Sequence, residues 1–372
     1  MKLKTSIFIL SLLLSLHLSS QDPNLHIYLC FGQSNMEGQG VIENEDLTVD
    51  KRFKVFQAKD CPNLGRVKET WYTAVPPNCH CYSNLSPADQ FGKVMAESIN
   101  NDITVGIINV AVGGCDIRLF DKDIYQDHDS TFEESWFLDK VASYNGSPYH
   151  YLINLAQLAQ QDGVIKGILL HQGETNTGNQ DWPNYVQKIY SDMLTDLSLS
   201  AADVPLLAGE MLSESGNCCS SMNPIINQLP NVIPTAHIIS SEGCTGADNA
   251  HFDSEGYRLL GTRYAEKMLS LLEQDLSSAF KEIPSDLFSF KVFPNPVDLN
   301  NLINIRFSLP QKEFVSVKLY DQLGAEITEI IGKEIASGTH TLKHNVPKLP
   351  AGTYYYKLRI NGSITTRSVL IQ

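Results

Sequence analysis

The sequence predicts a three-layer α/β/α domain built on a parallel sheet, followed by a smaller all-β domain. From about residue 25 to residue 272, short apolar runs alternate with amphipathic helical patterns, which is typical of a parallel sheet covered by helices on both faces. After about residue 287, apolar residues recur at every second position, which is typical of antiparallel strands. The chain has 372 residues, enough for two domains with separate cores.

The first domain is predicted to contain five core strands and three well-marked helices. The strands are predicted at residues 26–31, 105–112, 164–171, 204–211 and 236–240. One helix should begin after Ser86, because Ser86 can cap it, Pro87 fits the first turn and Asp89 can complete a capping box. Apolar residues at helical spacing predict the other two, over residues 186–197 and 257–271. Open sheets of this kind bind ligands beyond the carboxyl ends of their strands.

The start of the chain is typical of an export signal. Lys2 and Lys4 precede an apolar run that is too short to span a bilayer, and Ser19 and Ser20 follow it. No later stretch reaches the roughly 18 apolar residues of a membrane helix, so no membrane span is expected. The predicted segments are a signal peptide at 1–20, an α/β domain at 21–275, a polar linker at 276–287 and a β-sandwich at 288–372.

The charge of the chain excludes one class of partner. The formal net charge is -14 at pH 7, and the rest of the chain is two charges more negative once Lys2 and Lys4 are set aside. An acidic surface repels phosphate backbones, so no nucleic-acid partner is expected.

Eight cysteines suggest disulfides in an exported protein. Six lie in polar loops and are disulfide candidates whose pairing is left open: Cys61, Cys79, Cys81, Cys218, Cys219 and Cys244. Cys30 and Cys115 lie in or beside apolar strand patterns and are predicted to be buried thiols. A zinc site at Cys79-His80-Cys81 is an alternative, but no second ligand pair stands at zinc spacing, so no metal is predicted.

Two predicted strands end in turns suited to acyl-transfer chemistry. The first strand runs into residues 31–38, where glycines permit a sharp turn that can present Ser34 as a nucleophile. The second ends at Gly113 and Gly114, whose backbone N–H groups a ligand can approach and which can stabilise an oxyanion. The plainer alternatives are a helix-capping serine and an ordinary tight turn.

Two further polar clusters follow later strands. Residues 171–176 contain an unusual density of hydrogen-bonding side chains, although short polar loops are common. After the last strand, Asp248 stands three residues before His251, close enough to orient the imidazole so that its other nitrogen can accept a proton. A solvated helix cap is the alternative for this pair. Because nucleophile, oxyanion donors and base all follow strand ends, one crevice is expected to collect them.

These residues resemble the motifs of SGNH-type carbohydrate esterases, specifically the sialate O-acetylesterase and acetylxylan esterase group called carbohydrate esterase family 6. The resemblance covers about residues 25–272. It rests on Gly32-Gln33-Ser34-Asn35-Met36, Gly113-Gly114, Gln172-Gly173-Glu174 and Asp248-x-x-His251-Phe252. It implies a flavodoxin-like α/β/α fold and removal of acetyl groups from sugars, with no cofactor. Two departures are Cys115, where serine or threonine is usual, and His171, where an aromatic residue is common.

The resemblance also implies roles for individual residues. Ser34 would be the nucleophile and His251 the general base, oriented by Asp248. The oxyanion hole would consist of the Ser34 N–H, the Gly114 N–H and the Gln172 side chain. Three more residues are expected to contact the substrate or support the catalytic groups: Gln33, Glu174 and Asn176.

The C-terminal region resembles the sorting domain of type IX secretion in gram-negative bacteria. The resemblance rests on Val292-Phe293-Pro294-Asn295-Pro296, the strand at residues 315–320 and Leu349-Pro350-Ala351-Gly352-Thr353-Tyr354. It implies an address read by the export machinery and a secreted or cell-surface protein. The alternative is a carbohydrate-binding β-sandwich, which the absence of tryptophan from this region disfavours.

The sequence therefore predicts a secreted serine esterase that removes O-acetyl groups from acetylated xylan or sialic acids through an acetyl-enzyme. One alternative is a carbohydrate-binding protein that keeps the fold without turnover, although Ser34, Asp248 and His251 are all present. Another is a glycosidase that uses Glu174 and Asp248 as paired carboxylates. Release of acetate without shortening of the glycan would exclude the glycosidase.

Overall fold

The computed structural model describes the chain from residue 21 onward, with several gaps. The described ranges are 21–128, 134–213, 217–282, 290–297, 301–309, 311–322, 325–345, 349–360 and 363–372, with the backbone alone at 273–282 and 363–364. The predicted signal peptide at residues 1–20 lies outside them. The chain divides into two compact units, residues 1–272 and residues 273–372.

The first unit is a seven-stranded sheet with helices. Its strands are β1 (Asp22–Gly32), β2 (Phe53–Phe56), β3 (Trp71–Thr73), β4 (Thr104–Ala111), β5 (Gly163–His171), β6 (Leu206–Gly209) and β7 (Ala236–Ile239). Its helices are α1 (Ser34–Glu37), α2 (Pro87–Ser98), α3 (Ser135–Ala142), α4 (Pro148–Ala159), α5 (Trp182–Asp196), α6 (Asn223–Ile226), α7 (Leu229–Val232) and α8 (Ser254–Glu282), of which α8 continues past residue 272. The strand order is β3-β2-β4-β1-β5-β6-β7, and every pair is parallel except β2 with β3. The predicted α/β fold class is confirmed.

Side chains of β1 show why the apolar runs are continuous. Ile27, Leu29 and Phe31 belong to one buried cluster, whereas Tyr28 and Cys30 belong to another. Successive strand residues point to opposite faces, so both faces of the sheet are covered. The all-apolar pattern is therefore the signature of a central strand.

The five predicted strands are present, and two short strands were not predicted. β2 and β3 span only four and three residues, too few for a periodic pattern to stand out.

Helix α2 begins as predicted. The Asp89 carboxylate accepts hydrogen bonds from the Ser86 N–H at 2.7 Å and from the Ser86 hydroxyl at 2.8 Å, and Pro87 is the first helical residue. Helices α3 and α4 were not predicted.

The strand register brings the predicted motifs to one edge of the sheet. β1 lies between β4 and β5, and Gly32 at its end pairs with Ala111 of β4 and with His171 of β5. The three strands therefore end at the same level. The chain order reverses at β1, which is where open sheets of this type form a ligand crevice.

Helix α8 differs from the prediction at its C-terminal end. It runs to Glu282, so the first part of the predicted linker at residues 276–287 is helical. The segment is polar, as a linker should be, but it contains no glycine or proline before Pro284 and is rich in helix-forming residues.

Four of the six candidate cysteines are in disulfides. Cys61 pairs with Cys81, and Cys218 pairs with the adjacent Cys219. The prediction was wrong for Cys79 and Cys244, which are buried free thiols. Both side chains pack in the core cluster that contains Tyr28, although their neighbours in the sequence are polar. Cys30 and Cys115 are buried thiols, as predicted.

The second unit is all-β. Its strands are β8 (Lys291–Phe293), β9 (Leu302–Leu309), β10 (Glu313–Tyr320), β11 (Glu326–Ile335), β12 (Gly338–Asn345), β13 (Gly352–Ile360) and β14 (Ser363–Ile371). They form sheets of order β11-β10-β13-β14 and β12-β9-β8, with antiparallel neighbours. The period-two residues on β10 and β13 are buried in one core with those of β9. Asn361-Gly362, a pair typical of a tight hairpin turn, lies outside the described residues.

Over the part of the chain that the structure describes, no helix combines the length and apolar character needed to cross a bilayer.

Candidate active site

Ser34 is presented by a sharp turn at the end of β1. Gly32 has φ +149°, and the next residue, Gln33, donates its N–H to the His171 carbonyl at 3.1 Å. Helix α1 begins at Ser34, so this residue stands at the carboxyl edge of the sheet with its hydroxyl in the crevice. Among the described residues, no acceptor contacts the Ser34 N–H, as expected for the first residue of a helix.

The structure brings Ser34, His251 and Asp248 together. The Ser34 Oγ lies 2.9 Å from His251 Nε2, and His251 Nδ1 lies 2.9 Å from one Asp248 oxygen and 3.1 Å from the other. Asp248 accepts the backbone N–H groups of Ala250 and His251 at 2.8 and 2.7 Å. Partial burial opposes ionisation of Asp248, but these hydrogen bonds outweigh it and hold the pKa of its carboxyl below the ordinary value.

Asn35 fixes the loop that contains His251. Its side chain is fully buried and donates one hydrogen bond to the Ala250 carbonyl at 3.0 Å, while its oxygen accepts the Phe252 N–H at 3.4 Å. These two residues flank His251 in sequence. Asn35 therefore sets the position of the imidazole opposite Ser34, its own neighbour in the chain.

The Gly113-Gly114 turn places one free N–H at the crevice. Gly114 has φ +80°, a conformation that favours glycine, and no acceptor among the described residues contacts its N–H. Its carbonyl accepts the Thr175 hydroxyl at 2.9 Å, which ties this turn to the loop after β5. The N–H groups of Gly114 and Ser34 are thus available to an oxyanion.

The Gln172 side chain, which the resemblance implied for the oxyanion hole, makes hydrogen-bond contacts with its neighbours through both of its polar atoms. Gln172 is only 1% exposed, and its amide nitrogen faces the Cys115 carbonyl at 3.0 Å, Asn176 Oδ1 at 2.6 Å and Gln33 Oε1 at 3.1 Å. Its oxygen accepts the Trp182 indole N–H. An amide nitrogen has two hydrogens, so Gln172 has none left for a substrate. Gln172 and Asn176 lie behind the crevice wall and support it.

Within the described part of the chain, the side-chain amide nitrogen of Gln33 is free to donate to a ligand, whereas that of Gln172 is occupied. Its oxygen accepts hydrogen bonds from Gln172 Nε2, from the Gly173 N–H at 3.4 Å and from the Thr175 N–H at 3.3 Å. These contacts fix which way the amide points. Its Nε2 has no acceptor among the described residues, and Gln33 lines the same pocket as Ser34. Sequence reasoning could not assign this direction, because the three donors become neighbours only in the folded chain.

A buried carboxylate that the sequence analysis did not assign supports the Gly113-Gly114 turn. Glu37 is 2% exposed and accepts the Gly113 N–H at 3.1 Å, the Lys140 ammonium at 2.8 Å and His80 Nε2 at 2.8 Å. His80 Nδ1 accepts the Tyr82 N–H, so the ring hydrogen is on Nε2 and is donated to Glu37. Burial favours the neutral acid, but His80 and Lys140 overcome it and lower the pKa of Glu37.

The same contacts bear on the zinc alternative. The Cys81 sulfur is in the disulfide with Cys61, and the Cys79 thiol lies 3.7 Å from the Tyr144 hydroxyl in the core. His80 contacts Glu37. The residues Cys79-His80-Cys81 therefore do not form a common ligand set.

The crevice is an open pocket of about 330 Å³. Its lining includes Gln33, Ser34, Glu37, Gly114, Trp136, Lys140, Glu174 and His251. Trp136, in the long segment that follows the Gly113-Gly114 turn, is 41% exposed. Trp182 is fully buried and belongs to the core.

Two family models match the chain. A family model described as carbohydrate esterase, sialic acid-specific acetylesterase, matches residues 24–270. A second, described as secretion system C-terminal sorting domain, matches residues 291–372.

Solved structures also resemble the chain. A protein from Arabidopsis thaliana is 18% identical, with a TM-score of 0.51, over 67% of this chain and 99% of that one, which supports the fold. A carbohydrate acetylesterase from Xanthomonas citri is 14% identical, with a TM-score of 0.43, over 89% of this chain and 74% of that one. A family two carbohydrate esterase from Cellvibrio japonicus is 14% identical, with a TM-score of 0.35, over 68% and 62%.

Proposed function

Because the chain belongs to the sialic acid-specific acetylesterase family of carbohydrate esterases, we propose that it hydrolyses O-acetyl esters of carbohydrates through an acetyl-enzyme on Ser34. The observation that carries the proposal is the chain of contacts from Ser34 Oγ through His251 to Asp248. We further propose membership of carbohydrate esterase family 6, with acetylated xylan or sialic acids as substrates.

In this mechanism Ser34 Oγ attacks the acetyl carbonyl carbon while His251 Nε2 takes the hydroxyl proton. Asp248 holds the ring hydrogen on Nδ1 and stabilises the imidazolium that forms. The tetrahedral intermediate then expels the sugar oxygen, which receives its proton from His251. Water next attacks the acetyl-enzyme with His251 as base, which releases acetate and restores Ser34. No step requires a metal or a cofactor.

Three donors are proposed for the oxyanion: the Ser34 N–H, the Gly114 N–H and Gln33 Nε2. Each lines the pocket, and none has an acceptor among the described residues. Preorganised donors of this kind act without reorganisation when charge develops on the carbonyl oxygen. Gln33 thus takes the place that the resemblance gave to Gln172.

Replacing Gln33 by alanine is expected to lower kcat by about 10² to 10³-fold with little change in KM, because the lost hydrogen bond strengthens in the transition state. Steady-state kinetics on an aryl acetate would measure this. Gln172→Ala is the comparison, because it removes support behind the wall and should also lower the melting temperature. The opposite result would support Gln172 as the oxyanion donor. That result is a large loss of kcat in Gln172→Ala with an unchanged melting temperature, together with a nearly unchanged kcat in Gln33→Ala.

Replacing Glu37 by glutamine is expected to lower kcat by about tenfold, because the Gly113 N–H, His80 and Lys140 lose a charged acceptor. Glu37 acts through the turn, so KM should change little. Glu97→Gln, at an exposed position on α2, is the matched control. An unchanged kcat in Glu37→Gln would show that Glu37 does not position the turn.

The wall of the pocket supports a carbohydrate as the acetylated substrate. Trp136 presents an exposed indole there, and aromatic faces stack against sugar rings. Acetate release from acetylated xylan, from O-acetyl sialic acids and from simple aryl acetates tests the proposal. We expect release from at least one acetylated carbohydrate without shortening of the glycan. Glycan cleavage would instead favour the glycosidase.

We propose that the protein is exported, because its N-terminal segment and its C-terminal domain both resemble export signals. The sorting-domain match supports delivery across the outer membrane to the surface or the medium. We propose that residues 1–20 are a signal peptide, that the type IX machinery reads residues 288–372, and that residues 21–275 form the esterase domain.

A further inference from the structure

Glu174 has one carboxylate oxygen without a partner at the active pocket. Its side chain is 8% exposed, and the residue lines the pocket together with Ser34 and His251. Oε1 accepts a hydrogen bond from Asn35 Nδ2, whereas Oε2 is buried and has no partner among the described residues. Burying a carboxylate oxygen without a hydrogen-bond donor costs free energy.

Asn35 cannot supply the missing hydrogen. Its amide nitrogen donates to Glu174 Oε1 and to the Ala250 carbonyl, and both of its hydrogens are therefore used. Its oxygen is an acceptor and is occupied by the Tyr257 hydroxyl and the Phe252 N–H. The contacts that hold the His251 loop thus also fix the Glu174 carboxylate with Oε2 unpaired.

His171 cannot supply it either. Its Nδ1 lies 3.9 Å from Glu174 Oε1, but its Nε2 faces the Glu210 carbonyl at 3.1 Å. A carbonyl only accepts, so the ring hydrogen is on Nε2 and Nδ1 presents a lone pair. Burial lowers the pKa of His171, which keeps the ring neutral. Neither of these neighbours therefore donates to Oε2, and Glu174 lines the pocket from which a ligand can approach.

We infer that Glu174 Oε2 binds a free hydroxyl of the substrate, on the carbon next to the one that holds the acetyl group. This inference rests on the proposed function. A carboxylate accepts hydrogen bonds and donates none, so the preferred substrate class is a partially acetylated polyol or sugar. A fully acetylated or hydroxyl-free ester leaves the buried oxygen unpaired.

The test compares two small esters that differ only at the proposed contact. Ethylene glycol monoacetate presents a hydroxyl next to the ester, and propyl acetate has a methyl group in its place. Wild-type kcat/KM for the glycol ester should exceed that for propyl acetate by about tenfold to a hundredfold, the range expected for a hydrogen bond to a charged group. Glu174→Gln should lower that ratio severalfold, because a neutral amide makes a weaker hydrogen bond to the hydroxyl than a carboxylate does. Glu242→Gln, at an exposed loop position, should keep it.

Two results of this comparison would overturn the inference. A wild-type ratio near one overturns the inference without any variant, so the test does not depend on the folding of Glu174→Gln. A ratio in Glu174→Gln equal to that of the wild type also overturns it, because a different group would then bind the hydroxyl. Failure of the proposed function looks different: neither an aryl acetate nor an acetylated carbohydrate would release acetate, and both proposals would fall.

Discussion

Ser34→Ala is expected to lower kcat/KM for an acetyl ester by about 10⁴ to 10⁶-fold, since nucleophile and base act as a unit in such triads. The Ser34 Oγ is the atom that lies 2.9 Å from His251 Nε2 and that would attack the carbonyl. The change removes one oxygen atom from a partly exposed side chain, so the fold should persist. Acetate release at saturating and at low substrate measures the effect.

Ser191→Ala, at an exposed position on α5, is the matched control and should keep wild-type activity. Full activity in Ser34→Ala would show that another nucleophile acts. A wild-type protein that binds acetylated sugars but releases no acetate would support the non-catalytic alternative.

Gly32→Ala is expected to destabilise the fold by more than about 4 kcal/mol, a cost reserved for severe steric conflicts. A Cβ at this position would lie 2.0 Å from the His171 carbonyl oxygen, and φ there is +149°. The clash is with backbone of the neighbouring central strand, so no side chain can rotate to relieve it. The turn that presents Ser34 would have to move.

Urea unfolding followed by far-UV circular dichroism would measure this loss. Gly65→Ala is the control, because Gly65 also has positive φ, at +64°, but a Cβ there meets nothing within 4 Å. The control should cost only about 1 to 2 kcal/mol of left-handed backbone strain. Equal destabilisation by the two changes would contradict the steric argument.

The meeting of Ser34, Asp248 and His251 could be predicted because the signals were local in the sequence. Ser34 follows an apolar strand directly, and Asp248 lies three residues before His251, within reach across one turn. Parallel strands end at a common edge, so residues 217 positions apart could be expected to meet.

What the sequence could not predict depends on contacts between distant segments. The direction of the Gln33 amide is set by donors from the loop after β5, and that of Gln172 by Trp182 and Asn176. Glu37 directly follows the recognised motif Gly32–Met36, yet its partners Gly113, Lys140 and His80 come from three other segments of the chain. No pattern in the sequence connects such groups.

The errors in the fold have similar physical causes. Polar neighbours concealed the burial of Cys79 and Cys244, because burial is decided by packing partners rather than by adjacent residues. The polar segment at the end of α8 lacks glycine and proline before Pro284, so it could continue a helix.

Covalent labelling tests the central claim most directly. A fluorophosphonate forms a stable adduct with an activated serine, so the labelled site is read by mass spectrometry of the digested protein. We expect one adduct per chain, on the peptide that contains Ser34, with activity lost in parallel and labelling absent in Ser34→Ala and strongly slowed in His251→Ala. An adduct on a different residue, or full activity after Ser34 is labelled, would contradict the triad proposed here.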